Sequence, residues 1–476
     1  MLLIAALPAP AADGIDLRDC RITAGPGFPG IKARCGILLR PLNPDDAGSP
    51  LIDLSVAIVP ALSLEPRPDP FVPIAGGPGQ ASTEFYASQA AAFEEIRRTR
   101  DIVLLDQRGT GQSSALECPV DEEMLAGEFS PGETLAATRE CLDSLPHDPR
   151  YFTTSVAVTD LEALRAELGY DRFNLYGVSY GSRVAQHYAR RYPAATRSVI
   201  LDGVVPPQLA LGPGIALEAQ RALDAIFARC AESAACHERF PDLPGDFATL
   251  QERLAGGRID VDLENPVTGA PEQVAFGRDE LAGAVRLLSY HPSTMALIPL
   301  LVHEAARGNL APLAAQYLST TGQMADALSI GMHNAVVCTE DVPFIDVGSE
   351  GRAALGETYI GPIMLEALET ICSAWPAGVR DRGFREPLAT DLPVLLLSGD
   401  ADPVTPPAYA ERAAVELGNA AHLIGRNQGH GMAPRGCVPD IMADFVREAS
   451  PASLDTACLE RLFAMPFFLN FSGPAP

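Results

Sequence analysis

The chain has 476 residues, 47% of them hydrophobic, which is enough to bury one large core or two and sets aside a disordered or fibrous class. Its 35 basic and 61 acidic residues leave a formal net charge of −26, which argues against nucleic acid or an anionic membrane surface as partner, since either would repel it. No stretch reaches ~18 uninterrupted apolar residues, so no stable membrane insertion is expected.

Ten cysteines are spread along the chain without the tight C-x-x-C pairs or Cys/His spacing of a zinc site, and no metal or cofactor motif occurs. They read as oxidised. Their succession suggests local pairs, Cys20 with Cys35, Cys118 with Cys141, Cys230 with Cys236, Cys338 with Cys372 and Cys437 with Cys458, although spacing alone leaves the connectivity open. Disulfides belong to oxidising compartments, and residues 1–12, apolar and ending in small residues but lacking a basic start, read as a shortened signal peptide. A secreted, periplasmic or cell-envelope location is therefore expected.

After the leader, the segments between Gly14 and Leu39 and between Leu51 and Leu64 read as antiparallel strands. Phe71 to Ala75 is a buried strand running into Gly76-Gly77-Pro78-Gly79-Gln80, whose glycines and proline forbid regular structure and expose backbone N–H groups. Asp101 to Leu105 is a second buried strand, followed by the polar turn Asp106-Gln107-Arg108-Gly109-Thr110-Gly111-Gln112-Ser113, which Arg108 is placed to pin by pairing with Asp106. Val156 to Leu168 has the pattern of an amphipathic helix ended by Gly169.

Leu175-Tyr176-Gly177-Val178-Ser179-Tyr180-Gly181-Ser182 organises the chain. It sets one serine between two glycines, where an apolar strand-like run meets a helix-like one, and so reads as a nucleophile elbow. Ser198 to Leu201 adds a further strand. This alternation predicts a mostly parallel sheet covered by helices on both faces, with a first core part at 13–205.

From 206 to 385 the rhythm gives way to an Ala- and Leu-rich, mostly helical pattern with little β signal, including Ala216 to Cys230, Arg278 to Leu288, Leu297 to Ala306 and Met324 to Val337. This predicts an inserted helical cap. The core resumes at 386–476 with Pro393 to Leu397, then Ser398-Gly399-Asp400-Ala401-Asp402-Pro403, a helix from Pro407 to Leu417, the short strand Ala421 to Ile424, and Gly429-His430-Gly431.

A serine hydroxyl is a poor nucleophile at neutral pH and needs a base in reach, which in turn needs a carboxylate to fix its tautomer. Ser179, Asp402 and His430 follow strand ends in the order Ser, Asp, His, the order of an α/β-hydrolase. Groups at the carboxyl ends of parallel strands converge on one crevice. The expected oxyanion donors are the N–H groups of Tyr180 and Gly77, since Pro78 has none. Asp400 is the alternative acid. His187, His291, His303 and His333 carry structural expectations, and Trp375 is expected to pack in the core or line a pocket.

Together, Gly76-Gly77-Pro78-Gly79, the Asp106 to Ser113 turn, Gly177-Val178-Ser179-Tyr180-Gly181, Gly399 to Pro406 and Gly429-His430-Gly431 resemble the proline iminopeptidase and tripeptidyl aminopeptidase branch of the α/β-hydrolases. The resemblance covers nearly the whole chain after the leader. It implies a serine exopeptidase acting on peptides with a free N-terminus, a helical cap between the sixth strand and the acid strand, and Ser179, Asp402 and His430 as nucleophile, acid and base. One departure is Ala75, where many relatives carry histidine.

An aminopeptidase must recognise a free ammonium, and a cap carboxylate suits that task. Cys338-Thr339-Glu340-Asp341 supplies the candidates, with Glu340 preferred to Asp341 because related enzymes resemble it in placing an acid two positions after a cap cysteine. A carboxylesterase or lipase-like hydrolase with the same triad is the alternative reading, because specificity lives in the cap. Oligomeric state is not legible.

Overall fold

A computed structural model of the chain describes residues 15–25, 27–118 and 130–474. The signal-like leader and part of the segment between Cys118 and Cys141 lie outside them. The body is a nine-stranded sheet in the order β1-β2-β3-β5-β4-β6-β7-β10-β11. Its first strands, β1 (Arg18–Ile22), β2 (Ile31–Pro41) and β3 (Leu51–Val59), are antiparallel. Then β4 (Phe71–Ile74), β5 (Ile102–Leu105), β6 (Phe173–Val178), β7 (Thr196–Asp202), β10 (Val394–Gly399) and β11 (Ala420–Gly425) run parallel to one another.

The parallel strands are apolar on both sides because both sides are covered. Val72, Ile74, Leu175, Val199 and Leu396 enter one core, while Phe71, Tyr176, Ile200, Leu395 and Leu397 enter the other. Strand order turns at β4, which has β5 on one side and β6 on the other. A crevice opens at the carboxyl ends of strands where the order reverses. The glycine loop leaves β4 there and the serine elbow leaves β6.

Between β7 and β10 the chain forms helices with a separate apolar core that includes Leu223, Leu250, Leu288 and Leu301. Two features depart from the sequence reading. An antiparallel hairpin, β8 (Ile259–Glu264) with β9 (Pro271–Phe276), sits among the helices. Its alternation of Ile, Val and Leu with acids has the period of a strand. The expected helix from Met324 to Val337 is instead two helices, Ala311–Ala327 and Ile330–Glu340. The break gives Ser329 N–H to Gly79 carbonyl (3.0 Å), and Gly331 N–H goes to Leu116 carbonyl (2.9 Å), so tertiary bonds replace helical ones beside the glycine loop.

All ten cysteines are paired: Cys20–Cys35, Cys118–Cys141, Cys230–Cys236, Cys338–Cys372 and Cys437–Cys458. The local pairing suggested by their succession holds throughout. No helix among the described residues is long and apolar enough to cross a membrane.

Candidate active site

Ser179 sits at φ 54°, ψ −125°, between β6 and the helix Tyr180–Arg191. That backbone region is costly for a residue with a side chain and persists only where the surroundings enforce it. They do so by close packing. A Cβ on Gly177 would stand 2.2 Å from Gly181 carbonyl oxygen, and one on Gly181 would stand 2.3 Å from Ile74 carbonyl oxygen. Ser179 N–H is tied to Asp202 carbonyl at 2.9 Å. From Phe173 to Ala189 every residue is buried except Ser179, so the packing that hides the elbow leaves its hydroxyl reachable.

The loops that carry Asp402 and His430 meet beside it. Asp402, fully buried, accepts hydrogen bonds from Val404 N–H (2.8 Å), Thr405 N–H (2.9 Å), Thr405 Oγ1 (2.7 Å) and His430 Nδ1 (2.8 Å). With Nδ1 donating to a carboxylate, His430 Nε2 is left as the basic nitrogen. Burial alone would lift the Asp402 carboxyl, but the His430 charge and these hydrogen bonds hold it below its usual range. Burial alone would lower His430, and Asp402 raises it above its ordinary value.

Asp202, the last residue of β7, organises the base loop. Its carboxylate accepts Met432 N–H (2.8 and 2.9 Å), Ala433 N–H (2.8 Å) and Tyr176 OH (2.8 Å). His430 N–H goes to Tyr290 carbonyl at 2.8 Å. A Cβ on the next residue of β7's exit, Gly203, would lie 3.0 Å from His430 Cε1. The Ser179 and His430 loops are thus fastened to one strand end. Among the described residues no hydrogen bond joins Ser179 Oγ to His430, a contact that in apo serine hydrolases tightens with substrate bound.

The glycine loop abuts the serine: a Cβ on Gly76 would lie 3.1 Å from Ser179 Cβ. Neither Gly77 N–H nor Tyr180 N–H donates to a backbone acceptor among the described residues. Spare backbone donors near a serine hydroxyl are what an oxyanion formed by its attack on a carbonyl would need.

Residues 69–229 match the family model described as alpha/beta hydrolase fold, and residues 357–458 match that described as TAP-like protein. The chain has the α/β-hydrolase fold. The chain is 26% identical to serine protease Hip1 of Mycobacterium tuberculosis over 81% of its length and 79% of that one's. It is 32% identical to the putative hydrolase YuaR of Escherichia coli over 36% of each chain, and 28% identical to tripeptidyl aminopeptidase of Streptomyces coelicolor over 41% of this chain and 39% of that one. Much of each of the last two relatives lies outside the match.

Elsewhere the structure departs from the sequence reading. Glu340 and Asp341 are fully buried and turned inward. Glu340 accepts Thr154 N–H (2.8 Å) and Thr154 Oγ1 (2.9 Å), and Thr154 Oγ1 lies 2.6 Å from Tyr180 OH. Asp341 accepts both terminal nitrogens of Arg183 (2.9 and 3.1 Å) and Leu211 N–H (2.7 Å). Helix Ile330–Glu340 ends against the elbow helix, which turns its last acids into a buried brace rather than a cleft wall. Burial pushes the Glu340 carboxyl up to about 7, against the pull of the Arg183 charge.

Arg108 is structural, but its partner is Asp160 (2.6 and 2.8 Å), with carbonyls of Leu42 and Tyr151. Asp106 instead accepts Thr83 N–H and Oγ1. Asp400 accepts Asn427 N–H at 2.6 Å, so the bond to His430 belongs to Asp402. His187 meets Asp381, His303 meets Asp246, and His291 meets Arg435. His333, on helix Ile330–Glu340, reaches Pro78 carbonyl in the glycine loop at 3.3 Å. Trp375 is buried in the core.

Proposed function

We propose that this protein is a serine exopeptidase that releases N-terminal residues, proline or a short peptide such as a tripeptide, from peptides through an acyl-enzyme. The observation that carries the chemistry is the Asp402–His430 pair at 2.8 Å beside the reachable Ser179, with two unpaired N–H groups at hand. The names of Hip1 and of the tripeptidyl aminopeptidase support the substrate class.

Ser179 Oγ attacks the carbonyl as His430 Nε2 takes its proton, with Asp402 stabilising the imidazolium. Gly77 and Tyr180 N–H groups receive the developing negative charge. The same histidine protonates the leaving amine, and a water, deprotonated in turn by His430, releases the acyl group. In this reading 13–205 and 386–476 form the catalytic body, and 206–385 is the cap that selects substrates. Five disulfides fit an oxidising compartment, for which we propose a secreted, periplasmic or cell-envelope protein.

The inward turn of Glu340 and Asp341 favours keeping a carboxylesterase as second reading, since neither acid is open to a substrate ammonium. Nitroanilides of proline, alanine, Ala-Ala-Pro and Ala-Ala-Phe, each free and N-acetylated, separate the two beside a nitrophenyl ester. Cleavage that acetylation abolishes is expected. Cleavage of the ester alone would replace the exopeptidase reading with the esterase one.

A further inference from the structure

Arg286 is a cation without a carboxylate partner among the described residues, and it touches a residue that packs on His430. It lies near the end of the cap helix Arg278–Leu288, one turn before Tyr290. Tyr290 in turn touches the base: its carbonyl accepts His430 N–H, and its ring meets the His430 ring edge-on at 5.3 Å between centroids. Arg286 Nη2 donates to Tyr290 OH at 2.8 Å, and its guanidinium lies 5.4 Å from the Tyr290 ring centre.

No carboxylate pairs with Arg286 among the described residues, and its Nε is buried with no acceptor. The Tyr359 hydroxyl is likewise buried and unpartnered, on a residue only 9% exposed. The Arg286 charge acts on His430, on Tyr359 and on His333, which itself lies against the glycine loop. Through Tyr290 it is one side chain removed from the base.

A guanidinium has five donors in a planar fork; Arg286 gives one to Tyr290, and leaving its buried Nε without an acceptor is costly unless a ligand takes it. The ligand that matches a fork plus a tyrosine hydroxyl is a carboxylate. His430 hands its proton to the leaving amine, so groups packed on His430 from the cap side border the leaving fragment.

We propose that Arg286, with Tyr359, forms a carboxylate subsite on the leaving-group side, so that the preferred substrates are peptides whose departing fragment carries a carboxylate close to the scissile bond. This rests on the exopeptidase reading and deepens it. The carboxylate is either the C-terminus of a short peptide or an acidic side chain in a longer one.

The test takes the acyl unit that the wild type releases best from its nitroanilide and joins it to alanine, alaninamide or glutamic acid amide. The readout is the ratio of kcat/KM among the three in wild type, Arg286→Lys and Arg286→Gln, with thermal unfolding as the check on folding. The wild type is expected to favour a carboxylate over alaninamide by about tenfold or more, mainly through KM, as one charge-assisted pair provides. The ratio should shrink in Arg286→Lys and approach one in Arg286→Gln. Preference for the free C-terminus alone assigns the site to short peptides, and preference for the glutamyl amide assigns it to an acidic side chain. A wild-type ratio near one, or a high ratio that survives Arg286→Gln, overturns the subsite while leaving the exopeptidase intact. Hydrolysis of an ester with none of the peptides would overturn both together.

Discussion

Asp202 holds Met432 by both of its carboxylate oxygens, at 2.8 and 2.9 Å, while its own carbonyl holds the Ser179 N–H at 2.9 Å. One residue at the end of β7 therefore sets the spacing between nucleophile loop and base loop. Substituting Asp202→Asn turns an amide NH2 toward backbone N–H donors, at about 1–3 kcal/mol for each buried group left unpaired. The expected result is a lower Tm and a kcat reduced by about tenfold or more, with KM less affected, because positioning errors of this size cost that much or more. Tyr176→Phe, which loses only one of the bonds, should be milder. Unchanged kcat in a destabilised Asp202→Asn enzyme would show that the base loop is placed by other contacts.

The pH profile follows from the acid–base pair. His430 works only when neutral, and Asp402 raises its pKa above the ordinary 6.5. Activity should therefore climb with pH through a kcat/KM midpoint above 6.5, and Asp402→Asn should move that midpoint toward acid. The same substitution removes the tautomer control, with kcat falling by roughly 10³- to 10⁴-fold. A profile whose acid limb is unmoved in Asp402→Asn would take the acid role from Asp402.

Glu340 braces Thr154, and through it Tyr180, whose N–H is a proposed oxyanion donor. Glu340→Ala should then lower kcat on ester and peptide alike, whereas an ammonium anchor would raise KM for free-amine peptides only. Stability carries a second signature. The folded-state carboxyl is raised to about 7 from an ordinary 4.5, so its protonated form favours folding, fully at pH below 4.5, and this is lost as pH rises through about 7. Across that window the Tm of Glu340→Gln should gain on wild type. A constant difference would contradict the burial.

The Cys338–Cys372 bridge closes a 34-residue separation and ties the helix that ends in Glu340 to the helix Ile363–Ala374. Loop-closure entropy alone gives it about 3–4 kcal/mol. Cys338→Ser with Cys372→Ser should lower Tm and speed proteolysis within the cap. An unchanged Tm would mean that the cap core holds these helices without it.

The sequence made legible whatever is enforced locally. Gly177 and Gly181 announced a strand and helix packed backbone to backbone, and Gly76 to Gly79 announced spare N–H groups, since glycine and proline act through the residue's own geometry. Strand ends placed Asp402 and His430. What escaped was partner choice across the fold. Arg108 found Asp160, 52 positions away, rather than its neighbour Asp106. Glu340 reads as an open cap acid until helix packing turns it under Tyr180. Asp202 carried a signal, an acid closing an apolar strand, and Arg286 carried none, since only the fold brings that helix to His430.

The most direct test of the central claim is labelling of the purified protein with a fluorophosphonate, followed by peptide mapping, in wild type, Ser179→Ala and His430→Ala. One label on Ser179, absent from Ser179→Ala and strongly slowed in His430→Ala, is the result this geometry predicts. A label elsewhere, or Ser179 left unmodified in a folded protein, would contradict the assignment of Ser179 as a nucleophile activated by His430.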